Sequence, residues 1–391
     1  MTQSPAAPPK LKEPATVETL SQWALIRRRF SRHRLAVAST FILVVIYALA
    51  IFSECFAPHS SEWRELEFMY CPPQPPRISL TQGLHLYAVH RYVDPITFHK
   101  MYFEDPQDIV PLGFFVKGEP YELWGLIPME RHFFGVDLEA YAREQGATAT
   151  DATAALRAAP TWYLLGADKY GRDIFSRIIH GSRISLSIGL IAIVITFILG
   201  VTIGGVSGYV GGTVDNLIQR FIEILNAFPQ LPLWLALAAV MPPDWSPLRV
   251  YFAITIVLSA LGWTGLARVV RGKLLSLREE DYAVAARLIG AGHGRIIFRH
   301  LLPGFTSHII VTLTMRVPAM ILGETALSFL GLGLRPPVVS WGVMLQDCMN
   351  MQTVANYPWL LTPVVFIILA VLCFNFAGDG LRDAADPYAS R

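Results

Sequence analysis

Residues 268–303 read RVVRGKLLSLREEDYAVAARLIGAGHGRIIFRHLLP, and this polar segment lies between two apolar stretches of membrane-spanning length. Extended to residue 304, the segment contains seven Lys or Arg residues and three acidic residues. Loops rich in Lys and Arg stay on the cytoplasmic side of polytopic proteins, so we predict a cytoplasmic loop. Its glycines divide it into two short segments of helical character. Such a loop is typical of a docking site for a soluble partner.

The overall composition indicates a membrane protein. Hydrophobic residues make up 53% of the 391 residues, charged residues make up 16%, and the mean hydropathy is +0.42. A soluble domain of this length could not bury so much apolar surface. A helix needs about 20 apolar residues to cross a bilayer. Six stretches approach that length, so we predict an all-α polytopic membrane protein with six transmembrane helices: 35–56, 184–206, 221–241, 250–267, 306–330 and 357–378.

The charges beside these spans predict the topology. The basic cluster from Arg27 to Arg34 precedes the first span, and it keeps the N-terminal tail (residues 1–34) in the cytoplasm as a basic interfacial segment. With six spans, the C-terminal tail (residues 379–391) returns to the same side. The short loops 242–249 and 331–356 then lie outside, and each contains one Arg.

A long polar insertion, residues 57–183, separates the first two spans and is predicted to lie outside as a small α+β lobe. Strands are expected at 84–93 and 113–126, with a hairpin turn from Lys117 to Pro120. Weak helices are expected at 138–159. The lobe is either a partner-binding surface or a structural cap over a pore.

The chain lacks the sequence motifs of an enzyme. The nearest approach to a phosphate-binding loop, Gly166 to Asp173, has Arg172-Asp173 where lysine and a hydroxyl are needed. No HExxH or GxSxG motif occurs, and the four cysteines lack CxxC spacing. Cys55 and Cys71 fall outside, either as two free thiols or as a disulfide. We predict no catalytic residue, metal or cofactor in this chain, so any ATP is bound by a separate subunit.

The loop itself contains the signals of a short helix. Ser276 and Glu279 have the spacing of a capping box, which predicts a helix from there to Ile289. Gly290 can then adopt the left-handed conformation that ends a helix. A second short helix is expected up to Leu302, before Pro303. On the first helix one face is shared by Tyr282, Ala285, Ala286 and Ile289.

Four polar residues inside the spans are expensive in hydrocarbon and therefore informative. Glu223 and Asn226 lie near the inner end of the third span. Arg316 and Glu324 lie eight residues apart in the fifth, on similar faces. They either line a water-filled path or form an internal ion pair or network that fixes helix packing. In the second span and the turn after it, glycine recurs at every fourth position, which favours close helix packing: Gly200, Gly204, Gly208 and Gly212.

Several motifs give the chain a resemblance to a known family. Ala285-Ala286, Gly290 and Leu302-Pro303 match, at the right spacing, the cytoplasmic signature of permease subunits of binding-protein-dependent ABC importers. Val284 occupies the position where that signature has glutamate, although Glu280 keeps an acid nearby. The segments 165–189, 208–233, 323–334 and 374–387 resemble the oligopeptide/dipeptide/nickel group, and the last indicates the C-type component of a permease pair.

The resemblance implies an architecture and a set of partners. It implies the type I ABC importer permease fold, with a core at 184–378 and a coupling loop at 268–304. A second homologous permease, two ATP-binding subunits that hold ATP and Mg²⁺, and a periplasmic solute-binding protein would assemble with it in the bacterial inner membrane. No nucleic acid is expected. The implied ATPase-coupling residues are Glu280, Tyr282, Ala285, Ala286, Gly290, Leu302 and Pro303.

Peptides are the substrates that the resemblance favours, with nickel and oligosaccharides as alternatives in the same group. A less favoured interpretation is a secondary transporter that uses Arg316 or Glu324 as the charge that couples transport to an ion gradient. A third is a membrane scaffold or receptor that acts through the external lobe. The secondary transporter explains neither the capped helix of the loop nor the C-terminal motif.

Overall fold

The computed structural model describes residues 22–96, 100–144 and 160–385. The predicted helices after residue 144, most of the N-terminal tail and the end of the C-terminal tail lie outside these residues. The described helices are α1 (Gln22–Phe30), α2 (Arg34–Ile51), α3 (Ser53–Phe56), α4 (Leu138–Glu144), α5 (Ile174–Val210), α6 (Gly212–Ala227), α7 (Gln230–Ala239), α8 (Pro247–Leu277), α9 (Asp281–Leu288), α10 (His293–Arg295), α11 (Thr306–Thr314), α12 (Val317–Phe329), α13 (Trp341–Met344), α14 (Met351–Asn356) and α15 (Thr362–Ala385).

Five helical stretches in the described residues are long and apolar enough to cross a membrane. A further pair, α6 and α7, meets the same criteria together but is bent by 84° at its break. The chain is thus mostly helical, as predicted, with five such stretches, or six if the bent pair forms one span. The five stretches are Arg34–Ile51, Ile174–Val210, Pro247–Leu277, His293–Phe329 and Pro358–Ala385.

The helices α5 and α8 extend well beyond the apolar stretches that predicted them. Helix α5 starts ten residues before the predicted span because Asp173 caps it, accepting hydrogen bonds from the backbone N–H groups of Phe175 and Ser176. Helix α8 continues to Leu277, ten residues beyond its predicted end. Hydropathy marks where lipid is expected, whereas capping and packing decide where a helix ends.

The helices α5 and α8 pack closely through glycines. A Cβ atom built on Gly204 would lie 2.5 Å from the carbonyl oxygen of Ala267, and one on Gly208 would lie 2.8 Å from that of Arg271. At Gly200 the nearest atom would be Leu266 Cβ, at 2.8 Å. Three of the four glycines therefore serve helix packing. Gly212, with a φ of +60° and open space around it, belongs to the turn instead.

The insertion at residues 57–183 contains a four-stranded antiparallel sheet in the order β1 (Arg77–Ser79), β2 (Gly83–Val93), β3 (Lys100–Leu123), β4 (Ile127–Val136). Its core includes Leu86, Val110, Tyr141 and Trp162. Helix α4 covers the start of the predicted 138–159 helices. Cys55 and Cys71 are both free thiols.

The hairpin turn predicted from Lys117 to Pro120 is wrong. These residues lie inside β3, where the pairing with β4 shifts register between Lys117 and Tyr121. The chain turns instead at Trp124 and Gly125, which have φ values of +56° and +69°. Two consecutive positive φ values match the twist of the flanking strands, so this turn closes the hairpin. The indole Nε1 of Trp124 donates to the carbonyl oxygen of Ile51, at 2.7 Å, and so joins the hairpin tip to the end of α2.

Candidate functional site

The short helix α9 (Asp281–Leu288) is the centre of the predicted coupling loop. The capping box predicted at Ser276 and Glu279 is wrong, because α8 runs through Ser276 and the new helix begins only after Glu280. Glu280 is the N-cap residue, but its side chain makes no capping hydrogen bond. Packing of α8 against α5 carries that helix past the polar residues that would otherwise start a new one.

One side of α9 is anchored to the helical bundle. Ala283 is fully buried and packs in a cluster with Leu274 of α8 and with Ile296, Leu301 and Phe305. The guanidinium group of Arg287 lies 5.8 Å from the ring centroid of Tyr209, at the end of α5. A displacement of α9 would therefore be transmitted to α5 and α8.

The opposite side of α9 is exposed. Tyr282 is 46% exposed and Ile289 is 86% exposed, and Ala285 lies between them on the exposed surface. Ala286 is half-buried at the edge of this face. Desolvation, with a contribution from the nearby Glu280, raises the pKa of Tyr282 above its ordinary value. The exposed face combines small and apolar side chains, as a surface that enters a groove requires.

The helix ends at the predicted glycine. Gly290 has a φ of +87°, and its N–H donates to the carbonyl oxygen of Arg287. In the second segment, the predicted single helix is instead α10, a wider π-helical turn (Ile296–Leu301) and a 3-10 turn (Leu302–Phe305). Leu302 is half-buried against the cluster around Ala283, and Pro303 is exposed. Pro303 lacks the N–H of an α-helix interior, which favours the tighter turn at this position.

Glu324, in the middle of α12, is completely buried and accepts three hydrogen bonds from serine hydroxyls. Ser328 and Ser340 donate to its Oε1, each at 2.8 Å, and Ser185 donates to its Oε2 at 3.1 Å. Ser185 itself accepts from the backbone N–H of Trp341. The carboxyl group thus joins α5, α12 and the segment before α13 in one polar network.

The other polar residues of the spans do not join this network. In the part of the chain that the structure describes, Arg316 and Glu324 form no ion pair. Eight residues correspond to about 12 Å along a helix, and the Glu324 oxygens are already occupied by serines. Glu223 pairs with Arg220 at 2.8 Å on the surface of α6, where its side chain is 53% exposed. The Oδ1 of Asn226 accepts from Thr264 at 3.2 Å, beside a cavity that Arg316 also lines.

Comparison with known proteins identifies the family. Residues 200–391 match the model of the binding-protein-dependent transport system inner membrane component, and residues 21–76 match the N-terminal transmembrane domain of oligopeptide transport permease C. The dipeptide transport system permease protein DppC of Bacillus subtilis is 42% identical over 232 residues, which cover 59% of this chain and 69% of that protein. The chain belongs to the binding-protein-dependent transport permease family.

Other relatives of this permease have related names. The oligopeptide transport system permease protein OppC of Haemophilus influenzae is 41% identical, over 59% of this chain and 73% of that protein. The glutathione transport system permease protein GsiD of Pectobacterium atrosepticum is 41% identical, over 57% of this chain and 72% of that protein. An inward-facing structure of the MetNI methionine ABC transporter has 18% identity and a TM-score of 0.42, covering 54% of this chain and 97% of that chain. The family assignment rests on the sequence relatives.

Sequence reasoning missed one structural element beside the polar loop. The guanidinium group of Arg271, near the end of α8, binds the carboxylate of Asp215 in α6 through two hydrogen bonds of 2.5 and 2.6 Å. Arg278 adds a hydrogen bond of 3.2 Å to the carbonyl oxygen of Gly208. These contacts hold the loop's first residues against the turn between α5 and α6. The signal in the sequence was an acid three residues after a glycine pair, and this does not reveal its partner. No group of three or more His, Cys, Asp or Glu residues suited to a metal occurs among the described residues.

Proposed function

We propose that this permease forms half of the membrane path of an ATP-driven importer for peptides. The names of its relatives, which include oligopeptide, dipeptide and glutathione permeases, support this substrate class over nickel or oligosaccharides. In this proposal a second homologous permease completes the path, and a periplasmic solute-binding protein delivers the peptide. Two ATP-binding subunits, holding ATP and Mg²⁺, supply the energy, and this chain has no enzymatic role.

The proposed arrangement has six spans in the bacterial inner membrane, with both termini in the cytoplasm. The bent pair α6 and α7 then counts as the third span, and the polar loop between α8 and α11 faces the ATP-binding subunits. This placement agrees with the basic charge of residues 268–304. The sheet of the insertion would lie on the periplasmic side.

The division of α9 into a buried and an exposed side supports its role as the coupling helix. Ala283 fixes the helix to the bundle, whereas Tyr282, Ala285 and Ile289 remain available to a groove on an ATP-binding subunit. Closure of the two ATP-binding subunits would move α9 as a unit with the inner ends of α5 and α8. The resulting tilt of the spans would bias the path between inward-facing and outward-facing states.

We expect Ala285→Arg to weaken coupling strongly without unfolding the permease. A long charged side chain on the exposed face prevents close entry into a groove, and burying its charge there without a partner costs several kcal/mol. Substrate-stimulated ATP hydrolysis and peptide uptake should therefore each fall at least tenfold. The measurements are ATP hydrolysis and uptake by the complete complex in proteoliposomes. Ala285→Ser, which keeps the small size, is the matched control and should retain both activities.

Two results would contradict the proposal. Wild-type hydrolysis and uptake in the Ala285→Arg complex would remove α9 from the coupling contact. Uptake by the permease in vesicles that lack ATP-binding subunits would instead support a secondary transporter driven by an ion gradient.

A further inference from the structure

A polar cavity lies beside two membrane-spanning stretches that are interrupted, the α6–α7 pair and the α11–α12 pair, and against the continuous helix α8. Its volume is about 410 Å³, and it lies beside the 84° bend between α6 and α7, the start of α12 and the middle of α8. Arg316 lies at the break between α11 and α12, and Gly265 lies near the centre of the 31-residue α8. Arg316 lies inside the predicted span 306–330, whereas Asn226, Gly265 and Arg268 lie at or just beyond the inner ends of theirs, so the cavity extends from within the membrane to its cytoplasmic side. Interrupted helices at this depth are tolerated where they line a cavity, and transporter sites are commonly built from them.

The cavity is positively charged. Arg268 and Arg316 both line it, and none of the lining residues that the structure describes is acidic. Neither arginine forms an ion pair with another described residue. The N-terminal end of α7 lines the cavity at Gln230, and that of α12 adjoins it at Val317, next to Arg316. Helix N-termini have positive electrostatic potential. Arg316 is half-buried within its span, where an unpaired arginine is costly, and this favours a bound counter-charge. Arg268 is exposed at the start of the polar loop.

The guanidinium group of Arg316 packs against α8 at a glycine. The guanidinium group lies against Gly265, where a Cβ atom would come within 2.0 Å of its Nη2. A larger residue at position 265 would therefore shift the end of the Arg316 side chain. Across the cavity, Asn226 uses its Oδ1 to accept from Thr264, which leaves its amide nitrogen as a donor. Arginine and amide donors on one cavity match the oxygens of a carboxylate.

We propose that this cavity binds the carboxylate of the transported substrate, with Arg316 and Arg268 as its cationic groups. The inference rests on the proposed function and specifies one feature of the substrate: a negatively charged end that passes this cavity. A peptide's free C-terminal carboxylate meets this requirement, and a C-terminal amide does not. A carboxylate of the second permease is the other source of the same chemistry.

Uptake of a matched pair of peptides tests the proposal. The probes are trialanine and trialanine amide, each presented to the complete importer in proteoliposomes as a preformed complex with the solute-binding protein. Arg316→Gln should lower the initial rate for trialanine about tenfold, the effect of losing one charge-assisted hydrogen bond, and change the rate for the amide less than twofold. Arg316→Lys, which keeps the charge, should recover part of the rate. Arg249→Gln, an exposed arginine at the outer end of α8, is the matched control and should change neither rate.

Equal losses for the two peptides would overturn the proposal, because they would indicate a structural role or a pairing with the second permease. Unchanged rates would overturn it as well.

A second measurement is independent of transport. A cysteine in place of Gln230 is labelled with a maleimide in the complex, and its modification is followed by mass spectrometry, separately from the four native cysteines. Trialanine should slow this labelling, the amide should not, and Arg316→Gln should remove the protection. Protection without uptake would contradict only the proposed function, whereas uptake of both peptides without selective protection would contradict only the carboxylate site.

Discussion

Gly204→Ala is expected to disrupt the helical bundle, whereas Gly205→Ala is expected to be tolerated. A methyl group at Gly204 would lie 2.5 Å from the carbonyl oxygen and 2.7 Å from the Cα of Ala267, both backbone atoms of α8. Relief requires α5 and α8 to separate along their contact, at a cost of about 3 kcal/mol. At Gly205 the nearest atoms are side-chain methyls of Ile297 and Leu274, at 3.6 and 3.9 Å, which is ordinary contact. Alanine's better helix propensity then contributes up to about 1 kcal/mol in favour of the folded state.

The pair of variants provides its own control because the two positions are adjacent on one helix. The free energy of unfolding of the purified complex, and the yield of monodisperse protein, should fall for Gly204→Ala alone. Equal stability of the two variants would show that α5 and α8 are not in close backbone contact in the membrane. Loss at both positions would show that glycine is needed there for flexibility and not for packing.

The glycine contact also shows how far the sequence could predict the fold. Spacing of four residues predicted a helix face of bare backbone, and the structure confirms this for Gly200, Gly204 and Gly208. Spacing alone could not identify α8 as the partner helix, because that depends on residues 63 to 66 positions away, from Gly200 to Leu266, Gly204 to Ala267 and Gly208 to Arg271. Local signals failed to predict the structure where tertiary contacts compete with them. The capping box at Ser276 does not start a helix because α8 continues through it, and the hairpin turns at Trp124 and Gly125 instead of between Lys117 and Pro120.

The same distinction applies to the polar residues. The cost of placing a charged side chain in hydrocarbon singles out Glu324 and Arg316 in the sequence. It could not predict which residues surround them. Glu324 receives hydrogen bonds from serines 139 residues before it and 16 residues after it, contacts that no local pattern reveals. Arg316 lies in a cavity whose other walls come from the α6–α7 bend and α8. Gly290 was predictable because a left-handed helix end is a local property.

Glu324→Ala is expected to destabilise the permease by about 3 kcal/mol or more, because it leaves three buried serine hydroxyls without an acceptor and opens a cavity. Glu324→Gln keeps the shape and one acceptor oxygen, so we expect a smaller loss of stability and retained peptide uptake. The free energy of unfolding and the uptake rate per assembled complex measure the two effects separately.

Ser340→Ala provides the test of the network itself. It removes one of the three donors and also an acceptor for the backbone N–H of Val343, so the single variant should already be less stable than the wild-type permease. In the double variant with Glu324→Ala, the total loss of stability should be much smaller than the sum of the two single losses, because the effects of substitutions within one network are not additive. Additive losses would contradict the network. A Glu324→Gln complex with wild-type stability but no uptake would instead place this carboxyl group in the transport path, in contact with the substrate or with a coupled ion.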